Sequence, residues 1–103
     1  RHHPDYYQAH SKWAEEYFWV PHRSRHRGVG GIFYDHLNSG DWAADFAYTQ
    51  DVGHCFLETY PKLVRAKMHQ AFTEEQRIAQ LKYRGLYAEF NLVYDRGTTF
   101  GLK

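Results

Sequence analysis

The chain has 103 residues, 13 Lys plus Arg against 12 Asp plus Glu, and a formal charge of +1 with histidine neutral. Apolar residues make up 43% and aromatic residues 18%, which excludes the collagen-like, low-complexity and disordered classes that lack such surface. A chain this size holds one core at most, no apolar run reaches the ~20 residues of a membrane-spanning helix, and the lone Cys55 excludes an internal disulfide framework and fits a reducing compartment.

Met68 is the only methionine, so residues 1–103 read as a single partial domain cut from a longer polypeptide, with no second domain. Residues 8–20 place Trp13, Tyr17 and Phe18 at helical spacing with Lys12, Glu15 and Glu16 turned away. That predicts an amphipathic helix ended by Pro21. A basic run from His22 to Arg27 and the glycine-rich stretch Gly28–Gly31 then lead into Ile32-Phe33-Tyr34-Asp35, predicted as a buried strand. Asn38-Ser39-Gly40 is a turn.

Asp41 can cap a long helix, because Trp42, Phe46, Thr49, Gly53, Phe56 and Tyr60 recur every three or four residues. Pro61 should kink or restart it, and Leu63, Val64, Met68 and Ala71 carry the apolar stripe onward. Thr73-Glu74-Glu75-Gln76 has capping-box spacing, so a further helix starts there, with Ile78 and Leu81 as core contacts, and stops at Arg84-Gly85. Leu86, Ala88, Phe90, Leu92 and Tyr94 then alternate with Tyr87, Glu89, Asn91, Val93 and Asp95, the pattern of a strand with one apolar face. Helix, strand, helices, strand predicts an α+β fold with helices covering a sheet.

Arg23, Arg25 and Arg27 lie with His22 and His26 inside six residues. Guanidinium forks match carboxylate or phosphate oxygens and stay charged when desolvated, so one reading is an anion site whose flanking glycines admit the ligand. The plainer reading is a solvated basic loop. The glycines are no nucleotide fingerprint, since strand should precede and helix follow them. A charge of +1 is also too small for a nucleic-acid surface. None of the eight histidines belongs to a zinc motif, and His22, beside the arginines, is the single candidate metal ligand. Cys55 fits a small core hydrophobe. Asp95-Arg96 is either a turn-forming ion pair or a pair facing a ligand or partner chain.

Two ordered blocks go beyond these generic patterns. His22-Arg23, with Arg27-Gly28-Val29-Gly30-Gly31-Ile32-Phe33-Tyr34-Asp35-His36-Leu37, resembles the signature of oxygen-dependent coproporphyrinogen III oxidases. So does Tyr87-Ala88-Glu89-Phe90-Asn91-Leu92-Val93-Tyr94-Asp95-Arg96-Gly97-Thr98 followed by Phe100-Gly101-Leu102. The likeness covers essentially the whole chain and about a third of a full family member.

The resemblance implies a broad antiparallel sheet flanked by helices. It implies oxidative decarboxylation of two propionates of coproporphyrinogen III to vinyl groups in haem biosynthesis, giving protoporphyrinogen IX, with O2 as oxidant and no further cofactor required. A divalent metal is assigned inconsistently across the family. Carried over by position, Arg27 and Arg23 are the substrate-binding candidates and Asp95 the candidate catalytic carboxylate. His22, Tyr87, Glu89, Asn91, Tyr94, Asp95 and Arg96 fall in a region associated with a homodimer contact. The expected partners are a tetrapyrrole and a second copy of the chain, with no nucleic acid and no membrane span, in the cytosol by preference or the mitochondrion. The alternatives are a basic-loop module binding anions or nucleic acid, and a purely structural dimerisation segment.

Overall fold

Asp41 and Thr73 both carry the side-chain oxygen that a helix start requires, and both start helices. In the computed structural model, which describes residues 2–102, the elements run α1 (Tyr6–Tyr17), β1 (Trp19–Val20), a 3-10 turn (Pro21–Arg23), β2 (Arg25–His26), α2 (Trp42–Lys67), α3 (Glu74–Glu89), a π-helical turn (Phe90–Tyr94) and α4 (Arg96–Gly101). They form two compact units. One takes residues up to Pro4 with Asp35–Ala71; the other takes Asp5–Tyr34 with the residues from Phe72 onward.

The first unit is built on α2. Asp41 accepts a hydrogen bond from the Ala44 amide at 3.0 Å, and Asp45 places a carboxylate in the first turn where the helix dipole favours it. Asp45 is buried and also accepts the Ser39 amide at 2.9 Å. Gly40, at φ +87°, makes the left-handed bend into the helix while its amide donates to the Asn38 side chain. His2 bonds Asp51 at 2.7 Å and sets its ring edge-on to Tyr48.

The second unit is organised by aromatic residues. Tyr17, Phe18, Phe33 and Phe90 pack with ring centroids 4.7–5.8 Å apart. Pairs of this kind contribute about 0.5–1.5 kcal/mol each beyond their buried area. Ala14, Val20 and Leu86 are buried with Phe90. Strands β1 and β2 form a two-residue antiparallel hairpin, Trp19 opposite His26 and Val20 opposite Arg25. Pro21 starts the connecting turn, where its missing amide hydrogen costs nothing, and Ser24 closes it in the left-handed region at φ +50°. Thr73 completes a capping box: its hydroxyl accepts the Gln76 amide at 3.2 Å, and Gln76 accepts the Thr73 amide at 2.9 Å.

Several expectations change. The fold is mostly helical with a small antiparallel sheet, and among the described residues that sheet is the short hairpin, so this third of a family member does not show a broad sheet. The helix expected over 8–20 covers Tyr6–Tyr17, because Trp19 and Val20 turn into the hairpin. Ile32–Asp35 is irregular rather than a strand, with no neighbouring strand to pair with; it is tied down by the Phe33 amide donating to the His10 carbonyl at 3.0 Å. Pro61 does not restart the helix, since α2 runs through it as one element.

The largest revision concerns Leu86–Tyr94. Helix α3 passes Arg84-Gly85, continues to Glu89 and passes into the π turn, in which the Asp95 amide bonds the Phe90 carbonyl five residues back. An alternating segment needs a partner strand to satisfy its amides and carbonyls. With only the hairpin among the described residues, local helical bonds satisfy them instead. Leu86 and Phe90, four residues apart, supply the buried face. Ile78 and Leu81 are exposed, as are Cys55 and the α2 stripe expected to be core.

Candidate functional site

The hairpin sends the basic run back across the aromatic cluster. The Arg27 amide donates to the Phe18 carbonyl at 3.0 Å, one step beyond the β1–β2 pairing, which brings the Arg27 side chain over the Phe18 ring. Its guanidinium carbon lies 3.7 Å from the Phe18 centroid, 4.5 Å from Tyr87 and 5.1 Å from Phe90. Nη1 donates to the Asn91 side-chain oxygen. A cation over a ring face gains about 0.5–2 kcal/mol, depending on how dry the site is. Rings carry no net charge, however, and no carboxylate partners Arg27 among the described residues. The result is a partly buried, oriented guanidinium whose charge is not neutralised.

Beside it lies a cavity of about 460 Å³, walled by Phe18, Phe33, Tyr87, Ile32 and the Gly28–Gly31 backbone, with Glu15 and His26 as further polar groups. Gly30 and Gly31 sit at φ +129° and +142°, a region that side-chain-bearing residues avoid. The Tyr87 phenol is held below its ordinary pKa, first by its hydrogen bond to Asn91 and then by the Arg27 charge, with Arg84 adding to both effects. Arg84 stacks on Tyr87 as well, 3.9 Å from its centroid.

Arg23 has a different fate. Its Nε and Nη2 both donate to the Glu89 carboxylate at 3.1 Å, and His22 Nε2 reaches the same carboxylate at 2.8 Å. Arg23 first, then His22, pull the Glu89 carboxyl down to about 2. His22 also stacks on Tyr94 at 5.7 Å. The trio clamps the 3-10 turn to the end of α3 and does not line the cavity. Of the two arginines expected to bind substrate, only Arg27 faces an open site.

Asp95 is likewise occupied. It caps α4 by accepting the Thr98 amide at 3.4 Å, and it accepts the Tyr17 hydroxyl at 3.2 Å. Arg96 sits over Tyr17 at 5.2 Å. Neither lines the cavity. Among the described residues no three His, Cys, Asp or Glu side chains gather as metal ligands; His22 is turned to Glu89 instead. Tyr87 and Asn91 are both partners of Arg27 within the chain. Their spacing of one helical turn was the available sign, obscured by the strand-like alternation around them.

The family model for coproporphyrinogen III oxidase matches residues 1–103. The chain belongs to the coproporphyrinogen III oxidase family. The oxygen-dependent coproporphyrinogen-III oxidases of Rickettsia bellii (strain OSU 85-389), Rickettsia africae (strain ESF-5) and Rickettsia akari (strain Hartford) are each 56% identical to it over 97 residues. These matches cover 94% of this chain and 35% of each relative, so the chain spans about a third of the length of the oxidases it resembles. No helix among the described residues is long and apolar enough to cross a membrane.

Proposed function

We propose that this chain supplies an arm-binding portion of an oxygen-dependent coproporphyrinogen-III oxidase, which converts two propionates of coproporphyrinogen III to vinyl groups in haem biosynthesis. The observation that carries this reading is Arg27: an oriented guanidinium caged by three rings, joined to Asn91, without a carboxylate partner among the described residues, at the wall of an apolar cavity. A propionate arm matches that arrangement. Its carboxylate completes the charge of Arg27, and its two methylenes and pyrrole ring lie against Phe18, Phe33 and Ile32. The oxidases that the chain resembles act on a molecule of this kind.

The chemistry asks two things of such a site. The arm must stay ionised, and it must be held still. In the overall step a hydride equivalent leaves the carbon next to the pyrrole, and the carbon–carbon bond to the carboxylate breaks. Its electron pair becomes the second bond of the vinyl group as CO2 departs. O2 takes up the hydride equivalent and a proton, ending as hydrogen peroxide. The electron-rich pyrrole supports the charge that develops, so O2 serves as the oxidant in this proposal and no further cofactor is assigned. Arg27 binds and aims the carboxylate, and no proton transfer is assigned to this chain. The protein acts as a homodimer in the cytoplasm in this reading, with the exposed Leu92 and Val93 of the π turn available for the subunit contact.

The test is oxygen uptake by the full-length protein with coproporphyrinogen III, followed by fluorescence of the oxidised product. The wild type should consume O2 and form the divinyl product, and Arg27→Ala should lose most of that activity with its melting temperature retained. A folded wild type that consumes no O2 with this substrate would sink the reading.

A further inference from the structure

Tyr87 carries a guanidinium at two places. Arg27 stands 4.5 Å and Arg84 3.9 Å from the same ring centroid, so the two cations are no further apart than the sum of those distances. Like charges this close repel, and the ring quadrupole offsets that only in part. Neither arginine has a carboxylate partner among the described residues. Arg23, a few residues from Arg27, shows the contrast: it is neutralised bidentately by Glu89.

We propose that Arg84 is a second carboxylate-binding residue, and that Arg27 and Arg84, held on the Tyr87 ring, take two acidic arms of one polycarboxylate substrate. The inference rests on the function proposed above and adds to it, since one arginine reads one arm and a pair of fixed spacing reads two. A guanidinium carries five N–H donors, so contact with one ring leaves others for a carboxylate. Two guanidiniums on one ring therefore offer donors for two carboxylates, and their shared contact with the ring limits the distance between them. Tyr87 is a positioning residue in this scheme. Each anion that binds also relieves the repulsion between the cations, so the two arms bind better together than singly. Coproporphyrinogen, with four propionates, meets this demand; a tetrapyrrole with a single acidic arm does not.

The experiment is fluorescence titration of the full-length enzyme with coproporphyrin III, the oxidised and unreactive form of the substrate, and with a porphyrin bearing one propionate. Arg84→Gln should weaken coproporphyrin binding about 10-fold, the loss of roughly one charge-assisted hydrogen bond, and weaken the one-arm porphyrin less than about twofold. Lys82→Gln, which removes an exposed cation from the same helix, should change neither. Tyr87→Phe keeps the ring and should retain binding, whereas Tyr87→Leu, which frees both guanidiniums, should weaken it at least as much as Arg84→Gln does. Arg84→Lys, which keeps the charge without the fork, should fall between wild type and Arg84→Gln, and it serves if the glutamine variant fails to fold. The proposal is overturned if Arg84→Gln binds coproporphyrin like the wild type. It is equally overturned if both porphyrins weaken alike, or if Lys82→Gln gives the same loss, because the effect is then a general one of net charge. A wild type that binds no coproporphyrin would instead remove the function on which the inference rests.

Discussion

Replacing Arg27 by lysine keeps the charge and removes the plane. The planar guanidinium does three things at once: its carbon lies over the Phe18 ring at 3.7 Å, its Nη1 donates to Asn91, and its remaining N–H groups are left for a carboxylate. An ammonium is a compact, strongly hydrated point charge. It can keep one bond to the incoming carboxylate, but it loses the second bond of the fork and the stacking on the rings. The lost bond is worth about 1.5–3 kcal/mol and the lost stacking about 0.5–1 kcal/mol. Together they amount to about 2–4 kcal/mol of binding, or roughly 30- to 700-fold in kcat/KM at 1.4 kcal/mol per tenfold change.

The division between KM and kcat is the sharper test. The carboxylate held by Arg27 loses its charge as CO2 leaves, so the ion pair is no stronger in the transition state than in the ground state. Interactions of that kind act mainly through KM. Steady-state oxygen uptake by the full-length enzyme should therefore show KM rising at least as much as kcat falls, with the melting temperature within a few degrees of wild type. Unchanged KM in a well-folded Arg27→Lys enzyme would refute the fork argument. A fall confined to kcat would refute the assignment of Arg27 to binding.

Three further outcomes follow from the surrounding structure. Thr73→Ala removes the hydroxyl half of the capping box and should cost about 1 kcal/mol, read as a lower urea midpoint and faster amide exchange at Glu75 and Gln76. Glu89 titrates near 2 when folded against an ordinary 4.5, so its clamp on Arg23 and His22 is fully present above pH 4.5 and lost as the pH falls toward 2; Glu89→Gln should flatten the acid-side loss of stability, and identical acid titrations would reject the clamp. Phe90, 2% exposed and packed on Tyr17 and Phe18, should lose about 3–5 kcal/mol on truncation to alanine, and a thermal melt that barely moved would show that the aromatic cluster is not the core of its unit.

What could be read in the sequence was local. Asp41 and Thr73 were legible because a capping residue acts on amides two or three positions away, and both bonds form as expected. Leu86–Tyr94 was misread because it carries two periods. Leu86, Ala88, Phe90, Leu92 and Tyr94 alternate like a strand, while Leu86 and Phe90 are also one helical turn apart. Alternation decides only where a second strand exists to pair with, which is a property of the rest of the chain. Of the two outcomes open for Pro61, a kink or a restart, the restart does not occur, because a missing amide donor costs one bond and the turns on either side keep α2 continuous.

The difference between the two candidate arginines lay further still from the basic run. Arg23 and Arg27 are four residues apart with nearly the same neighbours in sequence, and both fit a carboxylate by chemistry alone. Arg23 meets Glu89, 66 residues away, and is neutralised; Arg27 meets Asn91, 64 residues away, and is not. Glu89 and Asn91 stand two positions apart in the segment that meets both arginines, one an anion and the other a neutral amide. Both orient a guanidinium, but only the amide leaves its charge available. Glutamate at position 91 would close the site, because the arm would then have to displace an internal carboxylate. Asn91→Glu in the full-length enzyme should therefore mimic Arg27→Ala in KM while raising the melting temperature, as an ion pair replaces an uncompensated cation. A variant that kept its affinity for coproporphyrin would show that the open charge of Arg27 is not what draws the substrate.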